Sequence, residues 1–224
     1  MKLTDLPVSG LIAAFGSTSP TPGGGSASAL AGAAGAALLA MVAAMPKNRA
    51  STADDVSLLQ AAGTRCDVIS HALLDLVNRD SEAYDAVVAA YRLPKASDDE
   101  KATRKAEIQA AMKKAAETPL ETMRHASEAL GMAPPIARLG NANAASDVVV
   151  AVELLLAAAR GARANVEINL ESLDDAPYVA QLREEVLEID RQCAAVASHL
   201  CGSTPVRGRS CHPSTDTLKG IVRL

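Results

Sequence analysis

The strongest constraint on this chain lies near its start, where Pro20-Thr-Pro-Gly-Gly-Gly25 opens into 20 residues, Ser26 to Met45, without one charged side chain. The run is long enough to cross a bilayer. It is mostly Ala and Gly, however, which gain little from lipid compared with Leu, Ile or Phe, and no aromatic belt flanks it. A helix of small residues lets neighbouring helices approach closely on all sides. The segment therefore predicts a buried central helix, a hub, ended by Pro46, which lacks a backbone donor and clashes with the preceding turn.

The remainder reads as helix as well. Aromatic residues make up 2% of the 224, and strands favour aromatic and β-branched residues over the Ala and Leu that dominate here. With 49% hydrophobic and 21% charged residues, the chain can bury one sizeable core, and no shift in composition marks a second domain. A short amphipathic block covers 4 to 15. Asp54 is placed to cap a long helix to Arg92, with Leu59, Cys66, Ile69, Leu73 and Val77 on its apolar stripe. Ser97 and Glu100 have capping-box spacing for the next helix, which should kink or break at Pro119 and stop at Gly131 with Pro134-Pro135. A fifth helix is expected over 145 to 170, and a sixth from Asp174 or Asp175 to about Leu200. The expected architecture is a single-domain all-α bundle of about six helices over 1–202, followed by an irregular Gly-, Pro-, Ser- and Thr-rich tail over 203–224.

Several function classes drop out. The net charge of -4 argues for no partner, and neither a basic stripe nor aromatic stacking residues suit nucleic acid. Cys66, Cys193, Cys201 and Cys211 show no CxxC spacing, and no secretory signal opens the chain, which predicts reduced thiols in the cytoplasm and no membrane role. His199, Cys201, Cys211 and His212 match no metal-ligand spacing, so no metal site is expected.

Four features carry chemistry. The glycine triplet costs chain entropy and makes sense where the backbone turns sharply or meets a ligand closely. The helix it opens presents free N–H groups and a positive dipole end, suited to an anionic or electron-rich ligand; a tight turn feeding a close-packed helix explains it equally well. Asp80, in Asp-Ser-Glu-Ala-Tyr84, sits three and four positions from Val77 and Tyr84, a carboxylate on an apolar stripe where burial would raise its pKa. Gly140-Asn-Ala-Asn143 leads to Ser146-Asp147, which reads first as a helix cap. Asn165 and Asn169 follow at i, i+4, and an amide among apolar residues needs a partner. Finally, Lys47, Arg49, Arg92, Lys95, Lys101, Arg104 and Lys105 form a basic group, mostly a solvated face, with a subset at helix ends placed to meet a carboxylate-rich ligand.

Taken together, Pro20-Thr-Pro-Gly-Gly-Gly-Ser26, Asp80-Ser-Glu-Ala-Tyr84, Tyr91-Arg-Leu-Pro-Lys95, Gly140-Asn141, Ser146-Asp147 and Asn165-Val-Glu-Ile-Asn-Leu170 resemble the cyclodeaminase/cyclohydrolase family over about residues 4 to 200. The resemblance implies an all-helical subunit that dimerises and binds a reduced folate in a groove near the Gly-rich loop. It assigns Asp80 as proton acceptor. Pro22, Gly23, Gly24, Gly25 and Ser26 would shape the groove, with Lys95, Asn143, Asp147 and Asn165 facing the ligand or supporting the site. The implied reaction closes 5-formiminotetrahydrofolate to 5,10-methenyltetrahydrofolate with loss of ammonia, using no cofactor beyond the folate. Hydrolysis of the methenyl compound is the nearest alternative, and a non-catalytic helical folate-binding or scaffold module is the alternative from another class.

Overall fold

The structure, a computed structural model, describes residues 2–45 and 51–203, with backbone alone for 201–203. Six helices follow one another: α1 Val8–Phe15, α2 Gly24–Ala44, α3 Ala53–Tyr91, α4 Asp98–Leu139, α5 Ala145–Leu170 and α6 Ala176–Ser203. Single turns of 3-10 helix precede α1 (Leu3–Asp5) and α5 (Ala142–Ala144). Helices α2, α3, α4 and α5 form an up-down-up-down bundle in which each packs against the next and α5 closes back on α2. Helix α6 lies outside, against α4 and α5, tied by Lys113–Asp175 (2.7 Å), Arg124–Glu185 (2.6 Å) and Arg163–Asp190 (2.7 Å) ion pairs.

The small residues of α2 do what their size suggests. A side chain on Gly35 would stand 2.8 Å from the Ala151 carbonyl oxygen and 2.9 Å from Leu155, and one on Gly32 would press on Leu73 and Ala158 at 3.1 and 3.2 Å. Both neighbours therefore approach the α2 backbone as no larger residue would permit. The hub is not covered on every side, however. The face turned from α4 leaves Ala27, Ala34, Ala37, Met41 and Ala44 exposed, one stripe at helical spacing. By length and composition, α2 and the stretch Ala142–Leu170 are each sufficient to cross a membrane, with 50% and 44% of their apolar windows buried inside the chain.

Three local expectations are corrected. Thr52, rather than Asp54, caps α3, exchanging hydrogen bonds with Asp55. Helix α4, opened by the Ser97–Glu100 capping box, neither breaks at Pro119 nor stops at Gly131; it continues through Pro134 and Pro135 to Leu139. Leu130, Ala133 and Ile136 are fully buried on its far half, and that burial holds the helix together past two prolines. At the start of α5, Ser146 and Asp147 do not cap; the Asn141 side chain instead accepts from the Asn143 N–H at 2.9 Å in the preceding turn. Pro46, Lys47, Arg49 and the tail from 204, including Cys211 and His212, lie outside the described residues.

Helices α3 and α4 hold 39 and 42 residues against 21 in α2. Since Asp80 stands level with the start of α2, the last 11 residues of α3 carry it about 17 Å past that end of α2. Ala90, Ile108, Ala111 and Met112 form a separate small core that holds this projecting hairpin together.

Candidate active site

Asp80 and the Gly-rich loop meet directly. The Asp80 Oδ2 atom accepts from the Ser26 backbone N–H at 2.8 Å and lies 3.0 Å from the Ser26 hydroxyl. Ser26 is the third residue of α2, whose N-cap residue is Gly23. A carboxylate from α3 thus supplies the negative charge that a helix N-terminus favours. The anion predicted for this helix end is, in part, the protein's own.

Glycine is needed here for clearance. A Cβ on Gly25 would lie 2.6 Å from the Asp80 carboxylate carbon, with Oδ1 closer still. One on Gly24 would lie 3.3 Å from the Asn165 amide nitrogen. Two of the three glycines therefore let side chains from α3 and α5 rest on the loop, so packing and site construction are the same feature. The loop enters through a cis peptide bond between Thr21 and Pro22. Pro22 and Gly23 are half-buried and Gly24 is exposed, so the surface of the loop borders solvent.

Burial pushes the Asp80 carboxyl above its ordinary value, and the two Ser26 hydrogen bonds partly oppose that rise. The direction suits proton transfer near neutral pH. Asn165 donates to the Gly161 carbonyl at 2.8 Å, one turn back on α5, and this fixes its amide against Gly24. Ser26 itself is fully buried, with its hydroxyl turned toward Val77 and Asp80.

Not every predicted residue joins this cluster. Lys95 is exposed in the turn between α3 and α4, beyond the end of the projecting hairpin. Asn143 is exposed and Asp147 half-buried at the start of α5, and α5 runs antiparallel to α2. They are 22 and 18 residues before Asn165, which for Asp147 is about 27 Å along the helix. Within one subunit, Asn143 and Asp147 therefore stand at the opposite end of the bundle from Asp80. Of the basic group, Lys101 pairs with Asp98, Lys105 pairs with Asp174, and Arg104 stacks on Tyr91.

Two contributors do not stand out in the sequence. Ser81 places its hydroxyl 3.3 Å from that of Ser26; it lies within the Asp80–Tyr84 motif, but no local feature gives its hydroxyl a role. Gly161 leaves room for Ser28, whose hydroxyl donates to the Gly24 carbonyl at 2.7 Å and would collide with any side chain at 161. A glycine inside a long helix was the available signal. Among the described residues, no group of three or more His, Cys, Asp or Glu side chains is gathered as for a metal ion.

Comparison with known proteins bears on this geometry. A family model described as formiminotransferase-cyclodeaminase matches residues 7–188. Methenyltetrahydrofolate cyclohydrolase of Methylorubrum extorquens is 38% identical over 170 residues, covering 76% of this chain and 82% of that protein. Formimidoyltransferase-cyclodeaminase of Rattus norvegicus is 29% identical over 206 residues; the match takes in 92% of this chain but 38% of the rat protein. The crystal structure of formiminotetrahydrofolate cyclodeaminase from Thermotoga maritima superposes with a TM-score of 0.78 at 27% identity, covering 88% of this chain and 94% of that one. With residues 7–188 matched by the family model and a 38% identical relative covered over most of its length, the chain belongs to the formiminotransferase-cyclodeaminase family of enzymes.

Proposed function

We propose that the protein performs one-carbon chemistry on tetrahydrofolate, cyclising 5-formiminotetrahydrofolate to 5,10-methenyltetrahydrofolate with release of ammonia. The observation that carries this is Asp80: a carboxylate with raised proton affinity, held by one oxygen on the first turn of α2. The formimino group enters protonated. N10 attacks its carbon, closing a five-membered ring, and gives its proton to Asp80. Asp80 returns that proton to the exocyclic nitrogen, which leaves as ammonia while the C=N bond of the methenyl cation forms. Holding N10 against the carbon supplies the proximity term, and one carboxyl serves as base and then acid. No metal and no cofactor beyond the folate is called for.

The Pro22–Gly25 backbone forms the wall of the groove, and the Asn165 amide orients the ligand. Lys95, at the tip of the hairpin, meets the glutamate carboxylates. Asn143 and Asp147 reach an Asp80 site only from a second copy. A homodimer across the uncharged face of α2, with the two α2 helices antiparallel, sets the start of one beside the end of the other. We place the enzyme in the cytoplasm, as a homodimer acting on soluble folate.

A second reading has its own support, because the relative that is 38% identical over most of both chains bears the name of a cyclohydrolase. In that reaction water attacks the methenyl carbon and gives one proton to Asp80; the C–N5 bond then breaks as the new hydroxyl becomes the formyl C=O and its proton passes to N5, leaving the 10-formyl compound. Offering each substrate to the purified protein separates the two. A catalysed rise in methenyltetrahydrofolate absorbance from the formimino compound, lost in Asp80→Asn, supports cyclisation. Faster decay of added methenyltetrahydrofolate supports hydrolysis, and silence in both overturns both.

A further inference from the structure

The hydroxyl of Ser26 is the least accessible polar group of the site and the most crowded. It lies 2.9 Å from the Val77 carbonyl oxygen, 3.0 Å from Asp80 Oδ2 and 3.3 Å from the Ser81 hydroxyl. It has one hydrogen and two acceptors for it, a carbonyl and a carboxylate. At 0% exposure it reaches no ligand in the groove. Its backbone N–H points at the same carboxylate oxygen at 2.8 Å. Two donors from one residue therefore converge on Oδ2, while Oδ1 lies over Gly25, where the missing side chain leaves it room.

We propose that Ser26 is a positioning residue for Asp80, one that commits Oδ2 to the helix start and leaves Oδ1 as the oxygen that exchanges protons with the substrate. The inference rests on the reading of Asp80 as the proton acceptor. While Asp80 is ionised, the Ser26 hydrogen lies on Oδ2. Once Oδ1 has taken a proton, the carboxyl attracts that hydrogen less, and it turns to the Val77 carbonyl. The buried hydroxyl is hydrogen-bonded in both states, so neither state of the base carries the penalty of an unpaired buried group. Ser81 sits within reach to donate to Ser26 Oγ in the first arrangement.

The groups facing this pair are uncharged: Gly24 and Gly25 from α2, the Val77 carbonyl and Ser81 from α3, and Asn165 on Gly24 from α5. Arg79, next to Asp80 in the chain, is taken up by Glu121 of α4 at 2.6 Å; Asp75 and Glu82 are exposed on α3. Ser26 thus supplies the specific interactions that hold the proton affinity of Asp80 down against burial.

The test is Ser26→Ala in the full chain, measured two ways. The first measurement is the titration of the Asp80 side-chain carbon by NMR in substrate-free protein, its signal assigned by its loss in Asp80→Asn. The midpoint should move up by about one pH unit when the hydroxyl is removed. The second is the pH profile of turnover: kcat should fall about tenfold, KM should stay within about twofold, and the acid limb should move up with the NMR midpoint. An unmoved midpoint overturns the proposal, and so does a rise in KM with kcat intact, which would make Ser26 a ligand contact. If wild-type protein turned over neither folate, the assigned reaction would fall, while the NMR titration would still decide the role of Ser26. Should Ser26→Ala fail to fold, Ser26→Cys, a weaker donor, replaces it in both measurements: a raised midpoint supports the proposal and an unmoved one overturns it.

Discussion

The side-chain amide of Asn169 on α5 donates to the carbonyl oxygen of Ala115 on α4 at 2.7 Å, the oxygen that Pro119, four residues on and without an N–H, leaves with no helical donor. A helix expected to kink or break at Pro119 runs on without a break, the freed carbonyl taken up by a donor 54 positions away in the chain. Removing that donor as Asn169→Leu should destabilise the protein by about 1–3 kcal/mol, measured by urea unfolding. Pro119→Ala restores the missing N–H, so the second substitution should recover most of the loss. A double-mutant cycle with no coupling would show that water had been satisfying the carbonyl instead.

The two loop glycines should differ sharply. Gly25→Ala drives a methyl group into the Asp80 carboxylate, 2.6 Å from its central carbon, and the residue that must move is the proposed base. Turnover should fall by about 100-fold or more. Gly24→Ala meets the Asn165 amide at 3.3 Å, a contact that a small side-chain shift relieves, and should cost less than about tenfold, mostly in KM. Steady-state kinetics on both variants, with circular dichroism to confirm folding, checks the order.

What could be read from the sequence depended on how local the cause was. The hub helix, the Ser97–Glu100 capping box and the span of α5 follow from residues within a turn or two of one another, and the structure shows each. Asp80 stood out because a carboxylate on an apolar stripe is locally anomalous. The passage of α4 through three prolines was not legible, because its causes are Asn169 on another helix and the burial of Leu130, Ala133 and Ile136 in a core assembled from the whole chain. Nor was the separation of Asp147 from Asp80, since motif order along a chain carries no direction in space until the helices are known to run antiparallel. The glycine triplet admitted a ligand reading and a packing reading. Gly24 and Gly25 show that one geometry contains both, because the side chains they admit are those of the candidate site.

The raised proton affinity of Asp80 has a consequence for stability. Its carboxyl binds a proton more tightly folded than unfolded. Between the ordinary aspartate value and the higher folded one, the folded state therefore holds more protons, and stability falls as pH rises through that window. The penalty is complete above it. Asp80→Asn, which keeps an acceptor for the Ser26 N–H and carries no charge, should melt at the same temperature as wild type or higher at pH 7. It should also lose the Asp80 part of the pH dependence while losing turnover by orders of magnitude. Scanning calorimetry at pH 4 and pH 7 on both proteins tests the sign. A variant that melts lower than wild type at pH 7 would mean that the ionised carboxylate stabilises the start of α2 by more than its burial costs.

The outer face of α2 offers the most direct test of assembly. Ala27, Ala34, Ala37, Met41 and Ala44 are exposed along one stripe of a helix that carries no charge, and Met41 is 42% exposed. A second copy packed there, antiparallel, would hide the stripe and carry Asn143 and Asp147 of one subunit toward Asp80 of the other. Met41→Glu places a charge in that contact without touching the bundle interior or the Asp80 cluster. Sedimentation analysis should show a dimer for wild type and a monomer for Met41→Glu, with a far-ultraviolet spectrum unchanged. Folate turnover should be lost along with the dimer. Mixing Met41→Glu with a second variant, Ala27→Lys, which faces position 41 when the start of one α2 lies beside the end of the other, offers opposite charges across the antiparallel pair and should restore part of both. A wild type that sediments as a monomer and is fully active would confine the site to one subunit and leave Asn143 and Asp147 outside it.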